Sequence, residues 1–402
     1  MIWPGLFPPT FRTSAGNGKK LMPLVVLSEC ETRHIQPRRD LCVYRTMRAV
    51  ESATMTRAAP LLVPSRRRIT GTRSLGRRAR STPASSVVDV PRVEAWKDDR
   101  LTFRGHGVDR VSAPPNAPPV VILGGFGNNS QDYVAPFGNA DVSLAASLEA
   151  RGFDVEVVAL ERKEWAKILR AVFSPGFYTG KGTTEPGYTW YLEAVEAAVS
   201  KALRDRPDAT QVDIVAHSAG GWLARAYIGG ALNEVEWTKS FRYLAREPQR
   251  TTPLPSANYA SRVRHLVTLG APHRVAPGAN DATRGALAWV DRRWPGAAFK
   301  SEGVSYTCVA GATVRGRAGK EFSKTLAGYS HNSYVQVCGE GDMVVGDAVV
   351  PSEYATLDGA ENIVLEGVFH SMSKVGTYDE DSRECWYGSD EVVDVWLRRL
   401  AA

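Results

Sequence analysis

A short segment near the middle of the chain carries a serine between small residues. Residues 216–221 read Ala-His-Ser-Ala-Gly-Gly, which places Ala216 two residues before Ser218 and Gly220 two residues after it. An apolar run precedes this segment and helical spacing follows it, a pattern that predicts a tight strand-to-helix turn with an exposed serine hydroxyl. Such a hydroxyl can attack a carbonyl carbon once a base takes its proton, and the Ala219 N–H can stabilise the resulting oxyanion. Small residues are also common in ordinary turns, so the rest of the chain must supply the other groups.

The base is expected among the histidines that follow Ser218. In one widespread arrangement the chain order is serine, then an acid, then histidine. His265 begins an apolar run, His331 has no strand just before it, and His273 precedes every plausible acid. His370 lies just past the last predicted strand, where a base carried by a loop is expected. We therefore predict His370 as the base, although an ordinary surface loop could carry the same residue.

Two aspartates could orient this base. Asp342 and Asp347 lie in the stretch Gly-Asp-Met-Val-Val-Gly-Asp-Ala-Val-Val-Pro, and either could follow the end of a strand. Gly-Asp pairs are also typical of plain turns. By chemistry alone both aspartates remain candidates.

A second oxyanion donor is expected after the first core strand. Gly124-Gly125-Phe126-Gly127 follows the apolar run Val120–Leu123 directly. Glycines let the backbone approach a reacting carbonyl, so the Phe126 N–H is the candidate donor and Gly125 a candidate substrate contact. A phosphate-binding loop is excluded because neither G-x-G-x-x-G nor a P-loop lysine is present.

Alternating strands and helices must position these groups. Strands alternating with helices predict a mostly parallel sheet with helices on both faces. The predicted strands cover residues 120–123, 153–160, 212–215, 263–269, 304–310 and 363–368. The predicted helices include residues 142–149, 188–203 and 391–400.

Two aromatic-rich insertions, residues 162–188 and 232–262, interrupt this alternation. Loops of this length are often functional. Phe173, Phe177 and Tyr178 could line an acyl pocket, or they could simply pack on the core. His217, which precedes the nucleophile, and Gly125 are also predicted to contact the substrate.

The charge of the chain is unevenly distributed. The net charge is +7, but residues 1–85 hold 16 Lys and Arg against 4 Asp and Glu, which leaves 34 basic and 39 acidic residues in 86–402. The main domain, residues 86–402, is therefore mildly acidic, which argues against nucleic acid as a partner. No apolar run approaches the ~18 residues of a membrane-spanning helix. Three unclustered cysteines after the basic region favour a reduced compartment without a disulfide framework.

Residues 1–85 have the composition of a targeting segment. They are rich in Arg, Ser, Thr, Ala and Pro and poor in acids, as transit peptides are. We therefore expect a chloroplast protein, with the mitochondrion as the alternative. A disordered basic tail, or an upstream start codon that is not used (with translation from Met55), would produce the same composition.

Four stretches together resemble the lipase-like α/β-hydrolases, in particular a plant and algal plastid-type branch related to the GPI inositol-deacylase group. They are residues 124–128, 216–225, 268–273 and 347–370. The resemblance covers roughly residues 119–400 and implies the α/β-hydrolase fold, with Asp347 rather than Asp342 as the acid. Two residues depart from the family pattern: Ala216 replaces Gly, and Gly124 stands where many lipases have His.

These observations predict a serine carboxylester hydrolase that acts on an acyl lipid or another apolar ester. Ser218, His370 and Asp347 would form its catalytic triad, and no metal or cofactor is needed. An acyltransferase or thioesterase could use the same triad, and a binding protein of the same fold is the non-enzymatic alternative. Peripheral membrane contact fits a lipid substrate.

The basic N-terminal region yields a testable prediction. Composition changes from Arg- and Ser-rich to alternating apolar between roughly Arg68 and Val93, so we expect cleavage there. N-terminal sequencing of the native protein measures the cleavage site. An intact Met1 on the mature protein would contradict a cleaved leader.

Overall fold

The computed structural model describes residues 108–234, 258–277, 279, 281–373 and 384–402. The predicted leader, residues 1–85, and most of the insertion at 232–262 lie outside these residues. The described part of the chain contains a parallel sheet of six strands between two layers of helices.

The central sheet has the strand order β2-β1-β3-β4-β5-β8, and every neighbouring pair is parallel. A separate antiparallel pair, β6 and β7, joins two short segments. The strands are β1 Val120–Leu123, β2 Val155–Val157, β3 Val212–His217, β4 Val263–Leu269, β5 Ser305–Ala312, β6 Val314–Arg315, β7 Val345–Gly346 and β8 Glu361–Glu366.

Both faces of the sheet are buried, as the near-continuous apolar runs of its strands require. In β1 the side chains alternate between faces, so that Val121 and Leu123 join one hydrophobic cluster and Val120 and Ile122 join the other. Each apolar side chain removed from water in this way contributes about 1.5–3 kcal/mol. The sheet therefore needs a helical layer on each side.

Eight α-helices accompany the strands within the described residues, and five of them form these layers. Helices α4, α5 and α6 pack on one face, and α2 and α8 pack on the other. The helices are α1 Gln131–Val134, α2 Leu144–Glu149, α3 Pro175–Thr179, α4 Thr189–Asp205, α5 Ala219–Ile228, α6 Ala286–Arg293, α7 Leu326–Cys338 and α8 Asp390–Leu397.

The order of the strands reverses between β1 and β3. The chain proceeds from β1 to β2 on one side, then crosses to β3 on the other side of β1 and continues outward. In open parallel sheets, ligands bind beyond the carboxyl ends of the strands at such a reversal. The segment Gly124-Gly125 follows β1 and Ser218 follows β3, so the fold brings both to this crevice.

The predicted fold class is confirmed, with differences in detail. The strand predicted over residues 153–160 is only Val155–Val157, and helices α6 and α7 were not predicted. Helix α7 contains Gly, Ser and Asn, which are unfavourable in helix interiors. The sequence of this segment therefore did not predict a helix. None of the described helices is long and apolar enough to cross a lipid bilayer.

Three histidines are buried in the neutral form: His217 in β3, His265 in β4 and His273 in the segment that follows β4. Burial, together with the charge of Arg264, lowers the pKa of His265 to about 4. Burial also lowers the pKa of His217 to about 3 and the pKa of His273 well below its ordinary value. The unfolded chain would titrate all three near pH 6.5. Protonation below this pH therefore favours unfolding.

We expect the free energy of unfolding to fall as the pH drops from about 6.5 towards about 4, because the unfolded chain then binds protons that the folded chain rejects. Three such groups give a slope approaching ~4 kcal/mol per pH unit. His265→Gln should reduce that slope by about a third. Urea titrations at several pH values measure it.

A matched variant separates titration from hydrogen bonding. The His265 Nε2 atom lies 2.9 Å from the Thr307 hydroxyl. Thr307→Val removes this contact and leaves the imidazole, so stability should fall at every pH without a change in slope. An unchanged slope in His265→Gln would contradict the assignment.

Candidate active site

Ser218 occupies a strained turn between β3 and α5. Its φ is 53° and its ψ is −128°, a backbone conformation that residues with a Cβ rarely adopt. The Ser218 N–H donates to the Leu269 carbonyl at the end of β4 at 2.9 Å. Helix α5 packs so closely that a Cβ on Gly221 would lie 2.3 Å from the Ala271 Cβ. The turn therefore projects the serine hydroxyl beyond the carboxyl edge of the sheet.

His370 lies in the loop after β8 and faces this hydroxyl. Its Nε2 atom is 2.9 Å from the Ser218 Oγ, and its Nδ1 atom is 2.8 Å from the Asp347 Oδ2. The His370 N–H also donates to the Asp347 backbone carbonyl at 2.8 Å. Serine, imidazole and carboxylate thus form one hydrogen-bonded chain, the arrangement in which histidine removes the serine proton.

The geometry decides between the two candidate acids. Asp342 is exposed, and its Oδ1 atom accepts a hydrogen bond from the Ala318 N–H at 3.0 Å. Asp347 is buried and contacts His370 directly. Only Asp347 therefore lies where it can orient the imidazole, which agrees with the assignment that the family resemblance implies.

Asp347 is ionised although it is buried. Burial by itself would raise its pKa, but the charge and hydrogen bond of His370, the Val350 N–H and the Tyr387 hydroxyl together lower the pKa below its ordinary value. The Val350 N–H donates to Oδ1 at 2.7 Å and the Tyr387 hydroxyl donates to Oδ2 at 2.7 Å. Sequence reasoning missed Tyr387, because a tyrosine near the C-terminal helix carries no motif.

The loop after β1 approaches Ser218 closely. A Cβ on Gly125 would lie 2.6 Å from the Ser218 Cβ, so only glycine fits there. The Gly125 N–H donates to the Tyr133 hydroxyl at 3.0 Å, and the Gly124 carbonyl accepts from the Tyr191 hydroxyl at 2.7 Å. Because its N–H is used in this way, Gly125 is not the oxyanion donor. The next residue of the loop, Phe126, stays the predicted donor.

Phe126 and Ala219 lie where oxyanion donors are expected. Both line the same cavity as Ser218 and His370. Ala219 is the first residue of α5, so its N–H has no partner within its own helix and lies at the positive end of the helix dipole. The Phe126 ring packs on Trp165, with ring centroids 5.0 Å apart.

His217 is not placed as a substrate contact. It is 3% exposed and does not line the cavity. Its Nδ1 atom lies 2.7 Å from the Tyr133 hydroxyl, and its Nε2 atom lies 2.8 Å from the His370 carbonyl oxygen. Both ring nitrogens are therefore occupied by protein groups behind the nucleophile.

The cavity at the crevice has a volume of about 100 Å³ and a largely apolar wall. Its apolar wall comes from Phe126, Ala219, Trp222, Pro272, Val275, Ala282, Leu287, Val337, Val349 and Val350. Polar groups, among them Asn128, Thr283, Ser333 and Gln336, complete the wall. Such a mixed cavity suits an apolar chain that carries one polar linkage.

The predicted acyl-pocket aromatics do not line this cavity. Phe173 is 62% exposed and Tyr178 is 68% exposed, while Phe177 lines a neighbouring cleft. The insertion forms a 3₁₀ helix, Arg162–Phe173, followed by α3. Within this helix Trp165 is buried, whereas Phe173 at its end and Tyr178 in α3 are exposed. In the second insertion, Tyr259 packs on Tyr227 in the core.

The chain was compared with family models, with curated proteins and with solved structures. A model of the alpha/beta hydrolase family matches residues 120–371. No curated protein sequence matches the chain. Similar solved structures include the mature lipase BlEst2 of Bacillus licheniformis, 14% identical over 73% of this chain and 96% of that chain, with a TM-score of 0.40.

Two further structures show weaker similarity. The metagenomic carboxyl esterase MGS0156 is 11% identical over 72% of this chain and 77% of its own, with a TM-score of 0.37. The phospholipase PlaB of Legionella pneumophila is 13% identical over 53% of this chain and 40% of its own, with a TM-score of 0.29. The family model alone covers more than half of the chain. By this match the chain belongs to the alpha/beta hydrolase family.

Proposed function

We propose that the protein is a serine hydrolase that cleaves carboxylic esters with an apolar acyl group. The observation that carries the proposal is the hydrogen-bonded chain from Ser218 through His370 to Asp347, with contacts of 2.9 Å and 2.8 Å. This chain opens into the apolar cavity described above. An acyl lipid is the substrate class that best fits such a cavity.

The contacts support a two-step acyl transfer. As the Ser218 Oγ bonds to the ester carbon, its proton passes to the His370 Nε2, and Asp347 stabilises the imidazolium through Nδ1. The carbonyl oxygen becomes an oxyanion that the Phe126 and Ala219 N–H groups bind. When the C–O bond to the alcohol breaks, His370 returns the proton to that alcohol. A water molecule then repeats the sequence on the acyl-enzyme and releases the carboxylic acid.

Labelling by a fluorophosphonate tests the nucleophile. The wild-type protein should be labelled covalently, and p-nitrophenyl esters should be hydrolysed. Ser218→Ala should abolish both, because the attacking oxygen is lost. Analysis of the products distinguishes hydrolysis, which releases the free acid, from transfer to a thiol or a second alcohol. A wild-type protein that is neither labelled nor active would favour a binding protein of the same fold.

A pair of aspartate variants tests the acid. Asp347→Asn should lower kcat by about 10⁴, because the amide holds the wrong imidazole tautomer. Asp342→Asn is the matched control, and its kcat should stay close to that of the wild type, since its carboxylate contacts the Ala318 N–H rather than His370. Steady-state kinetics measure both. A larger loss in Asp342→Asn would move the triad to that residue.

The cavity yields a prediction about chain length. Each added methylene that the cavity accommodates contributes ~0.8 kcal/mol, or about fourfold in kcat/KM. The profile should therefore rise from acetyl esters and level off once the cavity is full. Val337 lines the cavity, so Val337→Phe should make it level off at a shorter chain.

Val335 supplies the control for this experiment. It lies on the same helix two positions away, and side chains at this spacing do not share a helix face. Val335→Phe should leave the chain-length profile unchanged. A flat or falling profile in the wild type would reject the acyl-lipid substrate and leave a short-ester hydrolase.

A further inference from the structure

A continuous run of hydrogen bonds passes behind the nucleophile. The Gly125 N–H donates to the Tyr133 hydroxyl at 3.0 Å, and this hydroxyl lies 2.7 Å from the His217 Nδ1. On the other side of the ring, the His217 Nε2 lies 2.8 Å from the His370 carbonyl oxygen. Two side chains therefore join the loop of residues 124–127, which we call the oxyanion loop after its proposed role, to the backbone of His370, the proposed base.

The direction of each hydrogen bond is determined by its ends. A carbonyl oxygen only accepts, so the His217 Nε2 must carry the proton, and the neutral ring then accepts through Nδ1 from the Tyr133 hydroxyl. Burial lowers the pKa of His217 to about 3, which keeps the imidazole neutral at the pH where the enzyme would work. Each of the three hydrogen bonds thus has one donor and one acceptor.

The surroundings leave these side chains little freedom. Tyr133 is fully buried, and the His217 ring meets the edge of Trp386 with ring centroids 5.5 Å apart. Breaking any one of these hydrogen bonds would leave a buried polar group without a partner, at a cost of about 1–3 kcal/mol. The path is therefore expected to stay intact. Neither residue lines the cavity. A role in substrate contact is therefore not available to them.

The two ends of the path carry groups that must be placed relative to each other. Gly125 precedes Phe126, the candidate oxyanion donor, and the carbonyl at the other end belongs to His370 itself. We propose that Tyr133 and His217 are positioning residues that hold the oxyanion loop at the correct distance from the base. This inference rests on the proposed function and adds to it two residues that never touch the substrate.

Tyr133→Phe tests the proposal, because it removes one hydroxyl and keeps the ring. We expect kcat to fall by about tenfold to a hundredfold with KM changed by less than about twofold, since the loss affects the transition state. Inhibition by an octyl trifluoromethyl ketone should weaken in the same proportion. This ketone forms a bond from its carbonyl carbon to the Ser218 Oγ, the serine proton passes to His370, and the ketone oxygen becomes the oxyanion.

Tyr227→Phe is the matched control. Tyr227 is also fully buried, and its hydroxyl donates to the Glu196 carboxylate at 2.8 Å, away from the cavity. This variant should lower thermal stability while leaving kcat and ketone affinity unchanged. If Tyr133→Phe behaved in the same way, with lost stability and an unchanged kcat, the proposal would be overturned.

The double variant with His217→Gln shows whether both residues act through one path. If they do, the double variant should be no slower than the slower single variant, because the first substitution already breaks the connection. Losses that multiply would overturn the connection. Should His217→Gln fail to fold, Tyr133→Phe and its control still decide the outcome.

A spectroscopic measurement is independent of turnover. Nitrogen NMR of isotope-labelled histidines should show that the His217 ring keeps a protonated Nε2 and an unprotonated Nδ1 at mildly acidic pH. Tyr133→Phe should shift the Nδ1 resonance of His217 and the ring resonances of His370, whereas Tyr227→Phe should shift neither. Unchanged His370 resonances would reject the connection even if the protein proved inactive on esters. If the protein proved not to hydrolyse esters, the expected NMR shifts of His217 and His370 would be unaffected.

Discussion

The strained backbone of Ser218 is the constraint on which the rest of the site depends. A conformation of this kind costs about 1–3 kcal/mol and persists only where the surroundings hold it. Here β3 is paired on both sides, the Ser218 N–H is bound by the Leu269 carbonyl, and the close contact of Gly221 with Ala271 fixes the start of α5. The serine cannot relax without breaking the sheet or the helix packing. Its hydroxyl therefore stays within hydrogen-bonding distance of the His370 imidazole.

At the acid end of the proposed triad the requirement is a different one, because a carboxylate must remain charged away from water. Asp347 is 1% exposed, and an isolated buried carboxylate would take up a proton. Hydrogen bonds from the Val350 N–H and the Tyr387 hydroxyl, added to that from His370, compensate for the lost water. The Tyr387 hydroxyl in turn accepts from the Gly311 N–H at 2.7 Å, so β5 supports the acid indirectly. The charge of Asp347 is thus stabilised both by its direct partners and, through Tyr387, by the backbone of β5.

The sequence predicted those parts of the site that follow from local pattern. The apolar strand before Ser218 and the small residues around it predicted the turn, and the position of His370 after the last strand predicted the base. The choice between Asp342 and Asp347 could not be made from chemistry, because it depends on which loop turns inward. The acyl-pocket prediction for Phe173, Phe177 and Tyr178 failed for a related reason: aromatic content does not determine which way an insertion folds. Tyr133, Tyr191 and Tyr387 were missed because they belong to no motif and because their contacts with His217, Gly124 and Asp347 join residues far apart in the chain.

The departure at Gly124 illustrates how one structural requirement can be met by different residues. Many lipases have a histidine at this position, and its absence left the support of the oxyanion loop open. In this protein two buried tyrosines bind the two polar atoms of a single peptide group, the one that joins Gly124 to Gly125: Tyr191 donates to the Gly124 carbonyl and Tyr133 accepts from the Gly125 N–H. They come from helices α4 and α1, so two separate elements hold this peptide group. A glycine at position 124 is then an advantage, because a Cβ there would lie only 3.0 Å from the Tyr133 ring. The glycine at position 124 and the two buried tyrosines are therefore parts of a single arrangement.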